Sequence, residues 1–169
     1  SEKSGGLVLE QGTHQFDVFN WILGSTPLSA LALGGTNNPG AVAPRQNTMD
    51  HYGAILEYPG GAKVQLSHLS YAIPEKRFSG SSELVFCERA GVDVANAMAW
   101  DSSGKSLELG RTAGNETHLA MESFLDSLLE GRRPEAGIEV AYSATLASLL
   151  CSRAIESGTK VSWQELEAS

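Results

Sequence analysis

Apolar residues recur at helical spacing near the start of the chain, at Leu7, Leu9, Phe16, Phe19, Ile22 and Leu23. Positions three, four and seven apart share one helix face, so the spacing predicts a helix over residues 7–23. Gly24 supplies a left-handed stop, and Pro27 follows it. The period then changes. Residues 27–35, PLSALALGG, read as a short strand, and DHYGAILEY (50–58) and AKVQLSHLSY (62–71) flank Pro59-Gly60-Gly61. Val64, Leu66, His68 and Ser70 alternate with Lys63, Gln65, Ser67 and Leu69, the period of a half-buried strand. The two runs predict a hairpin closed by a short glycine-containing turn. Residues 82–100 predict a second hairpin around Ala90-Gly91, and 105–110 a further strand. Helical spacing returns over 116–131, at Leu119, Met121, Phe124, Leu125, Leu128 and Leu129, with Asn115 as N-cap and Gly131 just past the end. A second long helix covers 137–158 and stops at Gly158, and 160–163 form a last extended piece.

A run of strands followed by a run of helices predicts an α+β fold: an open, mainly antiparallel sheet with helices packed on one face. The other sheet face then needs cover or must tolerate water. Apolar or small residues occupy both faces of the hairpin and its neighbouring strands, which predicts a dimer through the sheet face. Residues 35–49 are rich in Pro, Gly and Asn and make a loop long enough to expect function or mobility there.

Composition narrows the partners. Twenty acidic against twelve basic residues give a net charge of −8. Nucleic-acid binding needs clustered Lys and Arg to replace phosphate counterions, and the sequence has no such cluster, so no nucleic-acid partner is expected. No apolar run approaches the roughly 20 residues of a membrane span, so no membrane is expected either. No charged stretch followed by an apolar run opens the sequence, so no signal peptide is expected. Cys87 and Cys151 sit in apolar stretches without a CxxC pattern and read as buried free thiols, which suits a reducing cytoplasm. The start SEKSGG lacks Met and reads as an excised fragment.

The candidate chemistry lies on the first helix. Glu10 and His14 are four apart and Asp17 three further, so all three share one face over roughly 10 Å of axis. A carboxylate beside an imidazole fixes its tautomer and raises its basicity, leaving the other ring nitrogen for a substrate hydroxyl. Gly12 stands between them, where glycine costs about 1 kcal/mol relative to Ala, so packing or ligand access is expected to require it. Such pairs also occur on solvated helices, and a non-catalytic binding or dimerisation module is the alternative reading. HExxH is absent, so no metal site is assigned. His51 and His68, on opposite strands of one hairpin, read as structural. His118, in the first turn of a helix, reads as neutral. Glu57 and Tyr58 read as hairpin-edge residues. GxGxxG, P-loop and GxSxG motifs are all absent, so this chain holds no cofactor-binding residues of its own.

GGLVLEQGTHQFDVFNWILG resembles the start of the C-terminal domain of the glucose-fructose oxidoreductase/inositol dehydrogenase (Gfo/Idh/MocA) family. The matches are Gly5, Gly6, Glu10, Gly12, His14, Asp17 and Gly24. AILEYPGGAKVQLSHL is similar to the family's hairpin, and residues 115–163 are similar to its closing helices, including a G-R-x-P link. The resemblance implies that residues 4–169 form the substrate-binding and oligomerisation domain of an NAD- or NADP-dependent oxidoreductase acting on a hydroxyl or ketone of a sugar, cyclitol or related polyol. NAD or NADP would be held by an N-terminal dinucleotide-binding domain missing from this chain. By position, His14 would be the general acid/base, Glu10 its electrostatic or substrate-binding partner, and Asp17 an orienting residue. Glu10 stands where the family often has Asp. Glu75-Lys76, in PEKRF, is followed by Arg, so the family's Glu-Lys-Pro lysine is not in this chain. The resemblance further implies a cytoplasmic homo-oligomer joined through the sheet face, with the isolated chain inactive.

Overall fold

Two glycines set the limits of the main helices. In the computed structural model, which describes residues 5–37, 49–70, 80–110 and 113–167, Gly24 takes φ 60° and ψ 26°, and its N–H bonds back to Asn20 and Trp21. That left-handed cap ends α1, Thr13–Leu23. Gly158, at φ 65°, ends α3, Ile138–Ser157, in the same way. The turn ahead of α1 differs from the expected α-helix. Val8–Gly12 form a π-helical turn, with one extra residue in each hydrogen-bonded loop.

The contacts divide the chain into two units, Ser1–Tyr71 with Glu135–Ser169, and Ala72–Pro134. In the first unit, strands β1 (Ser29–Gly35), β2 (His51–Glu57), β3 (Lys63–Leu69) and β8 (Val161–Ser162) form an antiparallel sheet in the order β3-β2-β1-β8. The β2–β3 hairpin turns at Pro59–Gly61, as expected from sequence. Alternation sorts its faces. Ala30, Ala32, Tyr52, Ala54 and Leu56 are buried on one side, and Leu31, Leu33, Ile55 and Leu69 are exposed on the other. α1 and α3 pack together, and α3 lies on β1. Small residues on both surfaces, Ala30 and Ala32 on β1 and Ala147 and Ala154 on α3, allow a close approach, and Phe16, Leu56 and Leu150 fill the space around them. A five-residue helix α4, Trp163–Glu167, follows β8.

α3 is the one helix among the described residues long and apolar enough to cross a membrane, where the sequence led us to expect none. Its buried residues Ala144, Ala147, Leu150, Cys151 and Ala154 belong to the face that packs on α1 and β1.

The second unit holds an antiparallel meander, β4 (Leu84–Phe86), β5 (Ala90–Asp93), β6 (Met98–Asp101) and β7 (Ser106–Glu108), followed by α2, Glu116–Leu129. Ala90-Gly91 are not the expected turn. They begin β5, because Cys87 N–H bonds to Ala90 C=O at 2.8 Å and closes the reversal over Glu88-Arg89. A second reversal at Val94–Ala97 is tied by Asp93, which accepts from the Asn96 backbone and side chain. Residues 82–100 are therefore three strands rather than two, and the strands lie in two sheets of four. Asn115 caps α2 as expected, accepting from His118 N–H at 3.1 Å, and Gly131, at φ 67°, follows its end. Met121, Phe124, Leu128 and Leu129 of α2 are exposed.

Both cysteines are free thiols, but only Cys151 is buried. Cys87 is exposed because it opens a surface turn. Tyr58 is not a hairpin-edge residue. It is 1% exposed, and its hydroxyl donates to Asn20 Oδ1 at 2.9 Å, because it follows the buried alternation of β2 by one more step. Glu57 does sit at the strand end, half-buried, bonded to Ser29, Lys63 and Lys160. Most of the 35–49 loop, and Glu75-Lys76, fall outside the described residues.

Candidate active site

The outward stripe of the first helix starts in the π turn with Glu10, continues through His14 and Asp17, and reaches Trp21. Glu10 and His14 are exposed, Asp17 is half-buried, and Trp21 is 81% exposed. The core face opposite carries Gly12 and Phe16, both buried. The helix is fixed on that side by Thr13. Its Oγ1 donates to Leu9 C=O at 2.6 Å and lies 2.8 Å from the buried Ser148 Oγ on α3.

The structure puts the three predicted residues on one surface without joining them. Among the described residues, no ion pair links Glu10, His14 or Asp17 to one another. Asp17 also lines an open groove of about 700 Å³ between the C-terminal half of α1 and the start of α3, with Asn20, Trp21, Ser25, Glu135 and Ser143. His14 is not part of that lining. Gly12 is not open to a ligand. A Cβ there would lie 2.5 Å from Tyr52 Oη and 3.1 Å from the Phe16 ring, so packing is what requires the glycine.

The other histidines are occupied. His51 Nδ1 lies 2.7 Å from Oδ1 of the buried Asp50, whose two oxygens also accept from Asn37 N–H at 3.1 and 3.0 Å. The His68 ring lies 5.5 Å from that of Tyr52, and burial pulls its pKa down, favouring the neutral form. His118 Nε2 meets Glu122 at 3.2 Å on the surface of α2. No three His, Cys, Asp or Glu side chains converge on a metal-sized site among the described residues.

Sequence reasoning missed Trp21 and Tyr52. Trp21 was recoverable, since it stands four past Asp17 and seven past His14, on the stripe already drawn. Tyr52 was not, because its partner Gly12 is forty positions away.

The geometry defines an open-sheet α+β domain whose candidate site residues project from one covering helix. The sequence model of the GFO/IDH/MocA C-terminal domain matches residues 1–92. This chain belongs to the Gfo/Idh/MocA oxidoreductases, as their C-terminal domain. A search of curated proteins gave no match. Solved structures share the fold. A myo-inositol 2-dehydrogenase from Lactobacillus plantarum superposes with a TM-score of 0.69 at 17% identity, over 95% of this chain and 49% of the other. A UDP-N-acetylglucosamine 3-dehydrogenase from Acidithiobacillus ferrooxidans gives 0.74 at 16% identity, over 92% and 49%. An oxidoreductase from Agrobacterium radiobacter, solved with NAD+, L-tartaric acid and magnesium, gives 0.73 at 13% identity, over 94% and 49%. The chain thus spans about half the length of the structures it matches.

Proposed function

We propose that this chain is the substrate-binding and oligomerisation half of an oxidoreductase that acts on a hydroxyl or ketone carbon of a sugar, cyclitol or related polyol. His14 is the general acid/base, exchanging the proton of the substrate hydroxyl. Glu10 binds the substrate or biases the imidazole, and Asp17 orients the site. The observation that carries the reading is the stripe of exposed Glu10 and His14 and half-buried Asp17 in the segment that matches the family. Catalytic hydrogen bonds are commonly loose before substrate binds, so the open Glu10–His14 spacing is compatible with this role.

A dinucleotide site of the Rossmann type does not fit the described strands. Every described strand pair is antiparallel, whereas a dinucleotide site is built on the glycine turn of a parallel βαβ unit. The reading assigns NAD or NADP to a separate N-terminal domain and takes the chain by itself to be inactive. Leu31, Leu33, Ile55 and Leu69 form an apolar open face on the first sheet, suited to a second copy of the chain. The free thiols suit a reducing, cytoplasmic setting. The same apolar face also favours the second reading, a non-catalytic dimerisation module.

One experiment separates the two. In the full-length protein, with sugars and cyclitols as substrates and each nicotinamide cofactor supplied, His14→Ala lowers kcat by about 10²-fold or more if the imidazole moves the proton. An unchanged kcat would leave the dimerisation module.

A further inference from the structure

Trp21 stands 81% exposed on α1, an indole in water beside a groove that the proton-transfer reading does not use. Leu28 and Val140 line the same groove, and both are exposed as well. Large apolar side chains gathered on one exposed surface mark a site of interaction, where scattered ones would need no explanation. The rim is polar. Asp17, Asn20 and Glu135 line it, and neither carboxylate has an ion pair or a hydrogen bond among the described residues. An aromatic centre with a polar rim is the anatomy of a protein–protein contact, and a mixed lining is that of a contact between domains of one chain. A small polyol is held differently, in a concavity that buries most of its surface, and this groove is open.

Place narrows the occupant. Trp21 is seven residues past His14, so the groove and the imidazole share one helix face, roughly 10 Å apart along the axis. α1 lies on the buried side of the first sheet, where Phe16 shares the core with Tyr52 and Leu56 and Asn20 receives the Tyr58 hydroxyl. Leu31, Leu33, Ile55 and Leu69 occupy the opposite side of that sheet, so one neighbour does not cover both surfaces. The leucine-rich side suits a second copy. The α1 side suits the cofactor-carrying half, because an alcohol gives up its hydride and its proton from a single H–C–O–H unit, and nicotinamide and imidazole have to converge on it. The solved structures this chain matches are about twice its length, which leaves a whole domain to occupy that side.

We propose that the groove around Trp21 is the seat on which the N-terminal, cofactor-carrying half of the same polypeptide docks. Trp21 is the anchor at its centre, the residue type that most often carries the energy of such a contact. Asp17 and Glu135 pair with basic side chains at its rim. The choice of occupant rests on the reading of His14 as the proton-transfer group; that the groove is covered does not.

Two measurements on the full-length protein test it. Hydroxyl-radical footprinting read by mass spectrometry reports on Trp21 by itself. The expected labelling of Trp21 is slower by about fivefold or more in the native protein than in the same protein unfolded in urea at a matched radical dose, because the centre of an interface excludes water. Labelling at nearly the unfolded rate overturns the proposal. Protection that appears only once a sugar or cyclitol is added makes the groove a ligand site and overturns it too. A photoreactive benzoylphenylalanine in place of Trp21 identifies the cover. The expected product keeps the mass of one chain and joins position 21 to a peptide upstream of Ser1. A product of doubled mass assigns the groove to a second copy and overturns the proposal. His14→Ala stays a separate test: if it keeps its kcat, the proton-transfer reading fails, while the footprint and the cross-link still decide what covers Trp21.

Discussion

Thr13 and Ser148 have two hydroxyl protons for three contacts. Thr13 Oγ1 reaches Leu9 C=O at 2.6 Å, Ser148 Oγ reaches Ala144 C=O at 2.9 Å, and the two oxygens lie 2.8 Å apart. Each hydroxyl donates one proton, so two of the three bonds are made at full strength at any moment. Thr13→Val keeps the branched shape and removes one proton, and Ser148→Ala removes the other. Each single variant then loses one bond, worth about 1 kcal/mol at most because the acceptors are helix carbonyls that already accept from the backbone. For a chain of this length, that lowers Tm by about 2–4 °C. The double variant loses both bonds, about 2 kcal/mol, so the cycle closes with a coupling energy near zero. Were all three bonds made together, each single variant would lose two and the double variant three, leaving a coupling of about 1 kcal/mol in magnitude. Urea titrations followed by circular dichroism on the four proteins measure the difference directly. A coupling of about 1 kcal/mol would refute the proton count, and Thr13 would then be a stronger clamp between α1 and α3 than argued.

Cys87 and Cys151 are expected to differ sharply toward a thiol-specific disulfide reagent at pH 8. Cys87 is exposed and reacts at once, whereas burial pushes the Cys151 thiol up to about 12 and denies access, so the second equivalent appears only in denaturant. Two fast equivalents in the native protein would contradict the burial. Toward acid pH the Glu57 cluster is expected to lose its contribution to stability. The bond from Lys160, helped by Ser29 and Lys63, pulls the Glu57 carboxyl from 4.5 down to about 2. A depressed folded pKa contributes stability that is present above the unfolded value and lost as pH falls through the folded one, here between pH 4.5 and 2. The urea midpoint of Glu57→Gln should therefore fall less steeply than the wild type across that window, and parallel curves would show that the cluster is not coupled to folding.

The candidate stripe was legible because its signal is local. The spacing of Glu10, His14 and Asp17 follows from helix periodicity, and the structure does put all three on the solvent side of one helix. The π turn was not legible. Leu7 and Leu9 continue the apolar period through it, and the space that requires Gly12 is created by Tyr52 on a strand. Tyr58 and Cys87 were misread for related reasons. A residue beside Pro-Gly-Gly has the composition of an edge, and LVFCE has that of a core strand, whereas burial depends on what packs opposite.

The amino-acid order by itself determined the C-terminal ends of α1 and α3, the β2–β3 hairpin and the alternation along β3. Those depend on backbone preferences at Gly24, Pro59-Gly60-Gly61 and Gly158, and on the two-residue and 3.6-residue periods, which act within a few positions. Tertiary structure alone decided that the strands form two sheets, that Gly12 serves packing, and that Tyr58 is buried. Each of these is fixed by atoms brought together from positions far apart in the chain, and no local window contains them.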